Sequence, residues 1–468
     1  MFAIYYDLET TDKNTIGQII NYSFMLVNSE LEVIDELSGL VKISRLQIPD
    51  PGAILANRTD VLEHQVRAED IEPVAMRRIA DFLAQSIAKA SGAVTLIGFN
   101  SSRFDLGYLR TSLIRNGINP YFGGKIVPRD LLHVVQKAYL TSPEFRERVR
   151  AQREGESKLS LSLQTVSHAL GLLDGIQAHE SREDVLLTIR VARWLRDSCG
   201  LDAASFEGYE GAKLHSTARS GAVYLVEEPE YDMHAASYSS KHPVTLLDAD
   251  YKSALWVDLE RYASKPEPSC ISWRSAAKNA FFISPQALTN PELAEVARSA
   301  LRQFRGVTLK NFFERSTCDI EQDIYRLDFD HLDLYSKAIA ANDKSVLRDC
   351  RLPEAKVLWL RHQLASPHAT IADPSTAELL KKYALHRYGG KLQVSRTVRE
   401  GSEPEAYHTT LADMVRRLVQ AQEAAAVTRN TADLQLMTAL ERFIRESDIA
   451  KVAGRELLPM WYSQPGGK

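Results

Sequence analysis

The chain has 468 residues, a formal net charge of -4, 44% hydrophobic and 25% charged residues. That length exceeds one ordinary core and sets two to three domains, and the composition excludes a disordered or fibrous chain. The near-neutral charge argues against coating nucleic acid through bulk charge, while leaving room for a local basic groove.

Cys199, Cys270, Cys318 and Cys350 lie far apart with no C-x-x-C pair, so they read as free thiols in a reducing compartment. The N-terminus lacks a leader pattern and no apolar run reaches membrane-spanning length, which makes the cytoplasm the expected location and a membrane an unexpected partner.

In chain order, residues 2 to 6 form an apolar strand that runs straight into Asp7 and Glu9. Two β-like runs follow at 22 to 28 and 31 to 43, separated by the turn Asn28-Ser29-Glu30. Helical spacing over 75 to 92 ends on Gly92, and "AVTLIGFN" (93 to 100) reads as a buried strand. The polar stretch 141 to 158 reads as a solvated helix and loop, or as a mobile lip beside a site. Helices are expected at 161 to 172 and at 182 to 200, the second with Val185, Ile189, Ala192 and Leu195 on one side. Short β-like pieces occupy 201 to 316, and helical texture returns from 317 to 468.

Three acidic signals stand out. Asp7 and Glu9 are two apart on a strand, so both side chains leave the same face. A single D-x-E is ordinarily a solvated strand end; converging carboxylates would otherwise repel unless a cation lay between them. Asp105 opens a helix after "LIGFNSSRF", where a first-turn carboxylate serves the helix dipole. His179 and Asp184, in "AHESREDV", sit at the start of the last helix of this region, and each has an equally ordinary surface reading.

Taken together and in this order, these residues resemble the DEDDh exonucleases, whose pattern is an early D-x-E, a central N-x-x-[FY]-D and a late H-x4-D. Asp7, Glu9, Asp105, His179 and Asp184 fill all five positions, with one extra residue between Asn100 and Asp105. Within that family, "PGAIL" (51 to 55), "GFNSSRFD" (98 to 105) and "AHESREDV" (178 to 185) are most similar to the bacterial exonuclease I type. Where those relatives carry a small Gly-containing turn after "PGAIL", this chain runs "ANRTDVLEHQ" (56 to 65).

The resemblance implies an α/β fold: a ribonuclease H-like nuclease domain with a mixed sheet and flanking helices over 1 to 200, a small β-containing domain over 201 to 316 and a helical domain over 317 to 468. It implies 3′-to-5′ hydrolysis of single-stranded DNA with two divalent cations, Mg²⁺ or Mn²⁺, for which hard carboxylate oxygens are suitable ligands. By the same resemblance Asp7 would bridge both ions, Glu9 and Asp184 would complete the first, Asp105 would hold the second partly through water, and His179 would be the general base. Single-stranded DNA is the implied partner, with a single-stranded-DNA-binding protein a further one by family, and the protein is expected to be a monomer.

Substrate-contact candidates are Leu8 and Thr10 beside Glu9, Asn100 and Phe104 beside Asp105, and the basic, aromatic run holding Lys381, Lys382, Tyr383 and Arg387. Each also reads as packing, a turn or a solvated face. The competing functions are a DEDDh exoribonuclease or proofreading-type exonuclease, and an inactive nucleic-acid-binding module. The long extension after the nuclease region argues against the former, and the unbroken acidic set against the latter.

Overall fold

Strand β1 (Ala3–Thr10) is longer than its apolar run, so Asp7 and Glu9 lie within the strand rather than beyond it. It is the middle of a five-stranded sheet in the order β3-β2-β1-β4-β5. β2 (Ile19–Val27) runs antiparallel to β1 and to β3 (Val33–Leu40), while β4 (Val94–Gly98) is parallel to β1 and to β5 (Ile126–Asp130). A strand covered on both faces reads as an unbroken apolar run, which is why Ala3-Ile4-Tyr5-Tyr6 shows no polar alternation. This is a computed structural model, and it describes residues 2–102, 104–174, 180–207, 214–250, 253–275, 282–284, 287–315, 329–351, 353–366, 368–390, 397–399 and 409–462.

Period two sorts β1 between two cores. Ala3 and Tyr5 pack with Met25, Val27 and helices α5 (Leu131–Thr141) and α8 (Ser181–Cys199). Ile4, Tyr6 and Leu8 pack on the other face with α3 (Glu72–Ala90) and α4 (Asp105–Arg115). Asp7 and Glu9 therefore share the α8 face.

The stretch 141 to 158 contains α6 (Pro143–Gln152), which buries Phe145 and Val149. Arg146 stacks 3.6 Å from the Tyr238 ring centroid and Arg150 donates to the Met233 carbonyl at 2.9 Å, so these arginines tie the nuclease sheet to the next unit. Helix α7 (Leu163–Ala169) follows within the span expected to be helical.

The β-containing unit is a five-stranded antiparallel sheet in the order β10-β6-β7-β8-β9. Its strands are β6 (Val223–Pro229), β7 (Ser239–Ala249), β8 (Ser253–Asp258), β9 (Ile271–Ser275) and β10 (Phe282–Ile283).

The C-terminal helices do not stand apart. Helices Pro374–Gly389, Leu411–Thr428, Thr431–Glu446 and Asp448–Leu457 share one core with Ile20, Ile43, Ile48, Ile54 and Val61 of the nuclease region. Around that seam Arg417 pairs with Asp50 at 2.6 Å, Arg58 with Asp433 and Arg45 with Asp448. Buried Glu72 lies between Arg115 and Arg361, and the two guanidiniums hold its carboxyl below the usual range despite burial. Among the described residues, no helix is long and apolar enough to cross a membrane.

Candidate active site

The second half of β1 and the first turn of α8 meet at one point. Asp184 lies in that first turn and is buried, while Asp7 and Glu9 are half-buried on the facing strand. One carboxylate oxygen from each of Asp7, Glu9 and Asp184 lies within 4.8 Å of the other two. The start of α8 is pinned to the sheet by Ser181, whose hydroxyl donates to Asn21 Oδ1 at 2.8 Å; Asn21 is the residue opposite Glu9 on β2.

Asp105 is the fourth carboxylate. It is the first residue of α4, 6% exposed; the Asp7 charge acts on it and its own charge acts on Glu9. Burial pushes the Asp7 carboxyl up to about 8, with the Asp184 charge adding to the shift. Glu9 is pushed up to about 9, first by burial and then by Asp7, Asp184 and Asp105. Asp105 is likewise held well above the carboxylate range by burial and by Asp7. Like charges this close in a shielded site resist joint ionisation until positive charge enters. The donors are all hard oxygens, which fits Mg²⁺ or Mn²⁺ and not a thiophilic ion.

The remaining expected site residues separate. His179 lies outside the described residues, immediately before Glu180 and α8. Leu8 is 3% exposed and faces the core opposite the acidic cluster. Thr10 is equally buried, and its hydroxyl donates to the Asp12 carbonyl at 2.9 Å. Phe104 is half-buried against Tyr108, with ring centroids 5.0 Å apart. Asn100 is exposed at the turn that leads to Asp105, in a left-handed conformation with φ of 57°.

The basic helix Pro374–Gly389 does not present the face expected of it. Arg387 is 1% exposed and Tyr383 7%, and the Arg387 charge acts on buried Asp12, in the loop that follows β1. Lys381 pairs with Glu456 at 2.5 Å, and Lys382 with Glu378 at 3.4 Å. The helix packs between two cores, so its aromatic and basic residues point inward as well as outward.

Several residues around the site carry no sequence signal of their own. "ANRTDVLEHQ" builds the end of α1 (Pro51–Asn57) and most of α2 (Val61–Arg67), capped by Asp60. Between them Arg58 takes the left-handed φ of 53° that a glycine would adopt without steric cost, and Asn57 Nδ2 donates to the Thr10 carbonyl at 3.0 Å. A cavity of about 650 Å³ opens from Glu9, walled by Arg58, Arg67 and Arg182 and equally by Asp60, Glu63 and Glu180. Asp130 at the end of β5 also escaped the sequence reading; an aspartate directly before the apolar run "LLHVV" is a helix-cap signal that could have marked it.

No protein-family model matches the sequence, and no curated protein matches it either. Solved structures do match in three dimensions. A zinc-bound E. coli exonuclease I in complex with single-stranded DNA has a TM-score of 0.66 at 17% identity, covering 95% of this chain and 99% of that one. E. coli exonuclease I with a dA16 oligonucleotide gives 0.65 at 16% identity over the same shares. A moderately thermophilic exonuclease I from Methylocaldum szegediense gives 0.65 at 18% identity, with 96% of this chain and 99% of that one covered. The fold is that of exonuclease I. The expected α/β nuclease domain with a mixed sheet, the β-containing unit and the C-terminal helices all have their counterparts in that fold.

Proposed function

We propose that the protein is a cation-dependent exonuclease that removes nucleotides from the 3′ end of single-stranded DNA. The observation that carries this reading is the convergence of Asp7, Glu9 and Asp184, with Asp105 beside them, from separate chain segments within the exonuclease I fold. The solved relatives in which that fold holds single-stranded DNA support the substrate class.

Asp7, Glu9 and Asp184 would hold one divalent cation, and Asp105 with Asp7 a second. When bound, such cations offset the charge that builds on the phosphoryl group and make water a stronger nucleophile at neutral pH. The chain's own groups do the rest. Four carboxylates matched to that charge fix where the scissile phosphate sits. His179, just ahead of α8, accepts the proton from the attacking water, a task suited to an imidazole of ordinary pKa near 6.5. The cavity beside Glu9 is of a size to receive a nucleotide; its Arg58, Arg67 and Arg182 are paired with Asp433, Glu63 and Glu36, so a phosphate entering there would compete with those carboxylates for them.

The test is incubation of 3′- and 5′-labelled single- and double-stranded DNA and RNA with Mg²⁺, Mn²⁺ or chelator. Early release of the 3′ label from single-stranded DNA, abolished by chelator, is the expected result. Early 5′ release would refute the polarity, and preference for RNA of the same sequence would refute the substrate.

A further inference from the structure

The turn between β4 and α4 has to deliver Asp105 to the cluster, and it contains exposed Asn100 in a left-handed conformation, followed by buried Ser101 and half-buried Ser102. Such a backbone persists only where its surroundings hold it. Among the described residues, the side chain that holds the Asn100 and Ser102 amides is a carboxylate from the neighbouring strand. Asp130 ends β5, opposite Gly98 in the parallel register, and is 3% exposed. Its Oδ1 accepts from the Asn100 amide at 2.8 Å and from the Leu132 amide at 3.0 Å. Its Oδ2 accepts from the Ser102 amide at 3.0 Å. Three backbone donors in two segments thus close on one buried side chain, which also caps α5. The turn is completed by the Leu106 amide, which donates to the Ser101 carbonyl at 2.9 Å.

We propose that Asp130 is a positioning residue for the reaction: by clamping the Asn100 and Ser102 amides it fixes the turn that sets Asp105 against Asp7. It stands outside the carboxylate cluster and acts through the backbone, its charge adding to the burial and the Asp7 charge that raise the Asp105 carboxyl. The proposal rests on the nuclease reading above only for its effect on turnover, because the clamp itself is a property of the cation-free protein.

Asp130→Asn is the informative variant. The amide oxygen can keep the two donors of Oδ1, but the amide nitrogen then faces the Ser102 amide, donor against donor. Hydrogen exchange at the Ser102 amide of cation-free protein should accelerate by about 10-fold or more. Turnover should fall by about 10- to 100-fold with KM for the strand within about 2-fold, and the Mg²⁺ concentration for half-maximal rate should rise. Asp258→Asn, which weakens another buried helix cap remote from the cluster, serves as the control for lost stability alone and should change none of these.

Wild-type turnover and Mg²⁺ response in Asp130→Asn, or a shift equalled by Asp258→Asn, would overturn the proposal. If Asp130→Asn does not fold, the wild-type protein still decides: the Asn100 and Ser102 amides must exchange slowly although Asn100 is exposed and Ser102 only half-buried, and fast exchange there overturns the clamp. Absence of nuclease activity in the wild type would sink the functional reading while leaving the exchange result to judge the clamp.

Discussion

Asp7→Asn should stabilise the cation-free protein at pH 8 and make little difference at pH 5. Burial and Asp184 push Asp7 up to about 8, and Glu9 beside it is pushed up to about 9, whereas carboxylates of an unfolded chain titrate near pH 4. Between about pH 4 and pH 8 the folded chain therefore holds protons that the unfolded chain has released. Stability then falls as pH rises, by at most about 1.4 kcal/mol per pH unit for each proton retained. Water reaches both half-buried carboxylates and screens them, so removal of the Asp7 charge should recover about 2 kcal/mol at pH 8, or about 2 °C in Tm for a chain of 468 residues. At pH 5 the unfolded chain has crossed only about one of those four pH units, so the gap between the two proteins should shrink to about a quarter of its pH 8 value. Thermal unfolding of both proteins at the two pH values, with chelator and with Mg²⁺, reads this directly. Mg²⁺ at about 100 times its Kd should add about 2.7 kcal/mol to the wild type at pH 8 and less to the variant. A variant less stable than wild type at pH 8 without cation, or a gap that is the same at both pH values, would refute the electrostatic account of the cluster.

Asp184→Asn should lower cleavage by several orders of magnitude with an unchanged circular dichroism spectrum, because it removes charge from the cluster rather than volume from a core. His179→Ala should slow turnover yet keep the Mg²⁺-induced rise in Tm; loss of that rise would make the imidazole a ligand instead of a base. Arg387→Ala should lower unfolding free energy by about 3 to 5 kcal/mol in a denaturant titration, since it strips a buried guanidinium from beside buried Asp12. Unchanged stability with weakened strand binding would return Arg387 to the substrate groove.

What the sequence made legible follows from which interactions are local. Period two in β1 put Asp7 and Glu9 on one face without any tertiary knowledge, and the helix rule placed Asp105 and Asp184 in first turns. β5 was invisible because Pro128 and half-buried neighbours give it neither alternation nor an apolar run. Helices α1 and α2 are under two turns each, too short for a periodic signal, and are specified by the Asp50 and Asp60 caps. Tyr383 and Arg387 misled for a different reason. Periodicity cannot distinguish an arginine facing a DNA strand from one facing Asp12, since the partner lies 375 positions away in the chain. The clamp of Asp130 on Asn100 and Ser102 is likewise a contact between neighbouring strands.

The most direct test of the cation site is anomalous diffraction from crystals equilibrated with Mn²⁺. Two adjacent peaks, contacted by Asp7, Glu9, Asp105 and Asp184 and both lost in Asp7→Asn, are the expected result. Saturating Mn²⁺ with no peak at these four carboxylates would contradict the account.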